Sequence, residues 1–157
     1  MALDQLMEKV NCLLMNIYHN VKRLEEQTIK STGRINLTFS ELHTVACVGR
    51  SNDGSRTIRE IADELKIKSP SATVAVNKLV AKGYLKKHQS DADGRVVYVT
   101  LTRDGKRIFA FHRYYHNLMV KRLMRDLDEM ETGMLIKALD NLNNYLAESG
   151  GEPMQYF

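Results

Sequence analysis

Between Ser69 and Gly83 the chain sets Ser71, Thr73, Val74, Asn77, Lys78 and Lys82 at helical spacing. At 100° per residue, Ser71, Val74, Asn77, Lys78 and Ala81 share one side, with Ala72, Val76 and Leu79 on the other. The outer side is small, polar and cationic, without the Glu/Lys mixture of an ordinary solvated face. Its chemistry is hydrogen bonding in a nucleic-acid groove. Small side chains let a helix sit deep in the major groove, an asparagine can pair with adenine, hydroxyls bond bases or phosphates, and a valine can touch a thymine methyl. A surface helix rich in β-branched residues would look the same, so the flanking segments have to decide.

Downstream, Arg95 follows an acidic, glycine-containing turn with Asp91, Asp93 and Gly94. An arginine on a hairpin tip can reach a narrow minor groove. Asp93 either holds that guanidinium or only turns the chain. Other reactive types are sparse. Cys12 and Cys47 lack metal spacing and cannot form a disulfide framework. Cys12 lies opposite Leu13, Ile17 and Leu24 on a helical wheel, and Cys47 sits among apolar neighbours. His112 and His116 stand four apart, the spacing of two metal ligands, with no third donor nearby in sequence. There is no Gly-rich phosphate loop and no Gly-x-Ser-x-Gly elbow. Catalytic residues, a resident metal and a cofactor are therefore not expected, and the chain is not read as an enzyme.

The elements that must hold these residues are predominantly helical. Leu3, Leu6, Val10, Leu13, Ile17, Val21 and Leu24 repeat at three- and four-residue steps, predicting a long helix over 3–30. A single stripe of that length calls for a partner of similar length, often a second subunit. Thr38 and Glu41 form a capping box for a helix over 39–50, and Thr57 and Glu60 form another for a short helix. Ser69, read as an N-cap, and Pro70 open the next helix, which Gly83 ends. Two short helices joined by a tight turn make a helix-turn-helix. Two strands, 84–88 and 95–101, make a hairpin. Thr102 then caps a long helix over 103–126, and Asp128 with Glu131 caps the last. The predicted fold is mainly α: a winged helix-turn-helix with long N- and C-terminal dimerisation helices and one β-hairpin wing.

Totals agree with this. The chain has 157 residues, 43% hydrophobic and 27% charged, with two prolines and a net charge of +4. Residues 56–107 hold twelve Lys/Arg against six Asp/Glu, so the excess is concentrated where the helix-turn-helix lies. No apolar run reaches membrane length and the first residues are charged, so a cytoplasmic location without membrane association is expected.

With the elements in order, the chain resembles the MarR family of bacterial repressors over about residues 3–148. The long first helix, the helix-turn-helix with Ser69–Gly83, Asp93-Gly94-Arg95 in the wing and Leu101-Thr102-Arg103-Asp104-Gly105 at its exit carry the likeness. Glu41-Leu42-His43-Thr44, Asn77-Lys78-Leu79, Lys82-Gly83-Tyr84, Arg95-Val96-Val97 and the His112…His116 helix most resemble the fatty-acid-biosynthesis repressors of Gram-positive bacteria. The resemblance implies a symmetric homodimer, with 1–34 and 103–148 dimerising, 35–102 a DNA-binding lobe and 149–157 a tail. It implies DNA contacts from Thr57, Ser69, Ser71, Thr73, Val74, Asn77, Lys78, Lys82, Asp93 and Arg95 on an inverted-repeat operator. A long-chain acyl group on acyl carrier protein would act as corepressor, in an apolar slot drawn from Ile17, Val21, Leu42, Val45, Ile108 and Phe111. Another small ligand, a metal, or peroxide at Cys12 are alternative signals. A winged-helix module that binds only protein is the alternative of a different class.

Overall fold

The computed structural model describes residues 3–31, 36–90 and 96–149. The expected wing-tip residues Asp91, Asp93, Gly94 and Arg95 lie outside them, as do Met154, Tyr156 and Phe157 of the tail. In chain order the elements are α1 (Leu3–Ser31), α2 (Phe39–Gly49), β1 (Ser55–Thr57), α3 (Ile58–Glu64) and α4 (Ser69–Ala81). They continue with β2 (Leu85–Gln89), β3 (Val97–Leu101), α5 (Arg103–Met124) and α6 (Glu129–Ser149). The fold is mainly helical with one small antiparallel sheet, in agreement with the expected class.

Local chemistry explains the boundaries. Thr38 and Thr57 each accept a hydrogen bond from the backbone N–H three residues on, while Glu41 and Glu60 accept from the cap's own N–H. Asp128 and Glu131 make the same reciprocal pair before α6. Lys68, not Ser69, occupies the extended N-cap position of α4, and no side chain caps that helix. Ser69 is already helical, and its carbonyl accepts from the Thr73 hydroxyl at 3.0 Å.

The sheet has strand order β1-β3-β2. Strand β1, unforeseen because its three residues read as a loop and a cap, pairs Ser55, Arg56 and Thr57 with Thr100, Val99 and Tyr98. Strand β2 pairs with the other edge of β3, Leu85 opposite Leu101 and Lys87 opposite Val99. The hairpin is thus not isolated.

Two compact units divide the chain, residues 1–113 and 114–157, with the boundary inside α5. In the first, Val45, Val48, Ile61, Ala72, Val76, Leu79, Leu85 and Val99 form one core. Ile108 and Phe109 pack against it, which carries this unit past Thr102. Gly105 has no room for a side chain: a Cβ there would lie 2.1 Å from the Tyr84 carbonyl oxygen. Along α1, Leu3, Leu6, Val10, Leu13 and Ile17 are exposed, and burial begins only near Glu25 and Ile29. In the second unit Leu118, Leu123, Leu139, Tyr145 and Leu146 are exposed. Among the described residues no helix is long and apolar enough to cross a membrane.

Candidate nucleic-acid interface

Helix α4 is held from both ends. Before it, Lys66 takes a left-handed conformation (φ 54°), and the Ile67 N–H bonds the Ala62 carbonyl at 3.0 Å, which turns the chain sharply out of α3. After it, Gly83 adopts φ 79°, so the Tyr84 N–H can bond back to the Leu79 carbonyl at 3.0 Å. Between these ends Ala72, Val76 and Leu79 are fully buried. Ser71, Val74, Asn77, Lys78 and Ala81 are all exposed. The two faces separate as the helical wheel predicts.

The exposed face adjoins an open groove of about 510 Å³, lined by Thr38, Ser40 and Glu41 of the α2 start and by Pro70, Ser71, Val74, Ala75 and Lys78 of α4. Across the exposed face of α4, the Lys87 ammonium on β2 donates to the Asn77 amide oxygen at 2.5 Å. Strand alternation explains the reach: Lys87 is two residues from buried Leu85 and shares its side of the sheet.

Lys82, expected among the DNA contacts, bonds both Glu41 carboxylate oxygens through its ammonium, at 2.8 and 2.9 Å. The side chains are 28% and 11% exposed, so the pair is partly buried, and it clamps the end of α4 to the start of α2. Burial pushes the Glu41 carboxyl upward, yet Lys82 and the Thr38 N–H together hold it below its ordinary value. Thr57 is likewise engaged: its hydroxyl donates to Glu60 at 2.8 Å and accepts from the Glu60 N–H at 3.3 Å.

At the wing's exit, the Thr102 hydroxyl donates to the Gly83 carbonyl at 2.6 Å and accepts from the Gly105 N–H at 3.1 Å. Of the expected ligand-slot residues, Val45 and Leu42 are buried, Val45 within the core. Val21 and Ile108 are half-buried, and Ile17 and Phe111 exposed. Cys12 is exposed on α1, its sulfur 3.4 Å from the Asn16 side-chain nitrogen. Cys47 is buried, and burial, with Glu64 nearby, pushes its thiol up to about 11.

Three features escaped the sequence reading. One is the Asn77–Lys87 bond, and another the Glu41–Lys82 pair. The third is Glu25, buried on α1, whose carboxylate lies 3.0 Å from His43 Nε2 on α2 and 3.3 Å from His112 Nε2 on α5. A faint signal for Glu25 existed: it falls four residues after Val21, on the continuation of the apolar stripe.

Residues 35–96 match the family model described as MarR family. The chain is similar to the uncharacterized HTH-type transcriptional regulator YhjH of Bacillus subtilis (strain 168), 26% identical over 105 residues. That match covers 67% of this chain and 59% of YhjH, so the chain spans about three fifths of that relative's length. Streptococcus pneumoniae FabT, crystallised in complex with DNA, superposes with a TM-score of 0.81 at 28% identity, over 90% of this chain and 98% of FabT. The S. aureus MepR–DNA complex superposes with a TM-score of 0.70 over 85% of this chain and 94% of MepR. At 19% identity that likeness speaks for the fold alone.

Proposed function

We propose that the chain is a MarR-type winged helix-turn-helix regulator, a homodimeric, sequence-specific repressor that binds an inverted-repeat operator; the match of residues 35–96 to the MarR family model and the likeness to FabT support this. The carrying observation is the face of α4, small, polar and cationic outside and fully buried inside. Its exposed Ser71, Val74, Asn77 and Lys78 enter the major groove, with Ser69, Thr73 and Thr57 near the phosphates. Arg95, which lies between β2 and β3 in the sequence, reads the minor groove, with Asp93 as the neighbouring DNA-contact candidate. The exposed apolar stripe of α1, and separately that of α6, supports a second copy as the covering partner. A two-fold dimer sets its recognition helices about 34 Å apart, one helical turn of DNA.

The regulated genes are those of fatty-acid biosynthesis, with long-chain acyl-acyl carrier protein as corepressor. Support for this finer reading is the resemblance of the Glu41-Leu42-His43-Thr44 and His112…His116 segments to that group of repressors. The slot residues are Ile17, Val21, Leu42, Val45, Ile108 and Phe111.

Selection of duplexes from a randomised pool, with affinities then measured by fluorescence anisotropy over a salt series, tests the reading. A palindromic consensus, affinity falling steeply with salt, and tighter binding on adding acyl-acyl carrier protein are expected. Weak, sequence-independent binding at physiological salt, with or without the carrier, refutes it.

A second reading, metal sensing, is favoured by buried Glu25, whose carboxylate lies 3.3 Å from His112 Nε2, the imidazole whose sequence spacing to His116 is that of two metal ligands. Zinc titration of the purified protein, followed by isothermal calorimetry and operator affinity, separates the two signals.

A further inference from the structure

We infer that Asn77 and Lys87 act as one donor-only reader, so that Asn77 selects guanine and not the adenine its side chain alone would favour. The inference rests on the DNA-binding reading above and specifies what one position of the operator holds.

An ammonium has donors only, so the atom of Asn77 facing Lys87 is the amide oxygen, and the NH2 group points away from it. Adenine recognition by asparagine uses both amide ends: the NH2 donates to N7 while the oxygen accepts from N6. With Lys87 at the oxygen, an incoming adenine amino group meets a positive charge already bonded to its intended acceptor. Guanine offers acceptors at both N7 and O6. The Asn77 NH2 can donate to one, and the ammonium, which keeps two further protons, to the other. Both side chains are exposed, and among the described residues no carboxylate pairs with Lys87. Lys87 is also held in register, because β2 is paired with β3 at Val99 and Leu85 anchors the strand in the core. A lysine of this kind is a specificity-determining residue that reaches the groove from the wing strand.

The test uses the full-length dimer and operator duplexes from the selection described above. Wild-type protein should show one guanine per half-site whose preference disappears in Asn77→Ala. Replacing that guanine by 2-aminopurine, which keeps N7 but lacks O6, should weaken wild-type binding about 10-fold or more. Lys87→Met should lose most of this sensitivity and tolerate adenine there, while Lys87→Arg, which keeps the donors, should retain guanine. An adenine at the Asn77-dependent position, or a Lys87→Met protein with unchanged base preference, overturns the inference. A Lys87→Met protein that loses stability but keeps its guanine preference also overturns it, leaving Lys87 as a tie between β2 and α4. If wild-type protein selects no sequence at all, the DNA-binding reading itself fails, which is a separate result.

Discussion

Replacing Lys82 by methionine keeps the length of the side chain and removes its charge. The Glu41 carboxylate is then left largely buried with the Thr38 N–H as its remaining partner, at 2.7 Å. An exposed ion pair is worth below about 1 kcal/mol, whereas removing one partner of a fully buried pair costs about 3–5 kcal/mol. Here one side chain is 11% exposed and the other 28%, and Glu41 is not orphaned. The expected loss at pH 7 is therefore about 2 kcal/mol, or about 4–8 °C in Tm for a chain of this size. The loss should depend on pH. In the native chain the Glu41 carboxyl is held below its ordinary 4.5, so its stabilising contribution is present above that value and fades as pH falls through the folded one. Without Lys82 the cation that favours the ionised carboxyl is gone while burial still opposes it, so the variant gains less than the native chain as pH climbs. At pH 3 the difference between the proteins should shrink to about half or less. Urea unfolding at both pH values, at one fixed protein concentration, measures this. Equal losses at both refute the clamp. So does an unchanged midpoint accompanied by a shallower salt dependence of DNA binding, which would return Lys82 to the phosphates.

Gly105→Ala drives a Cβ toward the Tyr84 carbonyl oxygen, a backbone atom, and should cost about 3 kcal/mol, seen as a lower Tm or loss of soluble protein. Thr102→Val removes the bonds to the Gly83 carbonyl and the Gly105 N–H and should cost about 1–2 kcal/mol in urea unfolding. Native Cys47 should resist alkylation at pH 8, where about one thiol in a thousand is ionised, and react once urea is added; mass spectrometry of peptides reads both states.

What could be read in the sequence was what neighbouring residues decide. The reciprocal pairs Thr38–Glu41, Thr57–Glu60 and Asp128–Glu131 lie three residues apart, so each announces its own helix. Gly83 marked the end of α4, and the period of Ala72, Val76 and Leu79 gave its buried side. Contacts that close over longer loops left no such trace. Lys82 and Glu41 are 41 residues apart. Before folding, Lys82 was indistinguishable from a cation free to meet phosphate. Strand β1 escaped because three residues form a strand only where an edge of β3 awaits them. Ser69 was misplaced by one position: serine before proline has the composition of a cap, yet Lys68 carries the extended backbone. The Asn77–Lys87 bond needed the register of β2 against β3, which no local pattern states.

Thr102 joins three things at one oxygen: the exit of α4 through Gly83, the close of β3 and the first turn of α5. It works as a rivet between the three. If the start of α5 is turned, it must either shear this joint or drag the far end of α4 along with it. A dimer built on its terminal helices would then have a mechanical linkage already in place. A tilt of α5 would reach the end of α4 through this one hydroxyl, with no intervening loop to absorb it.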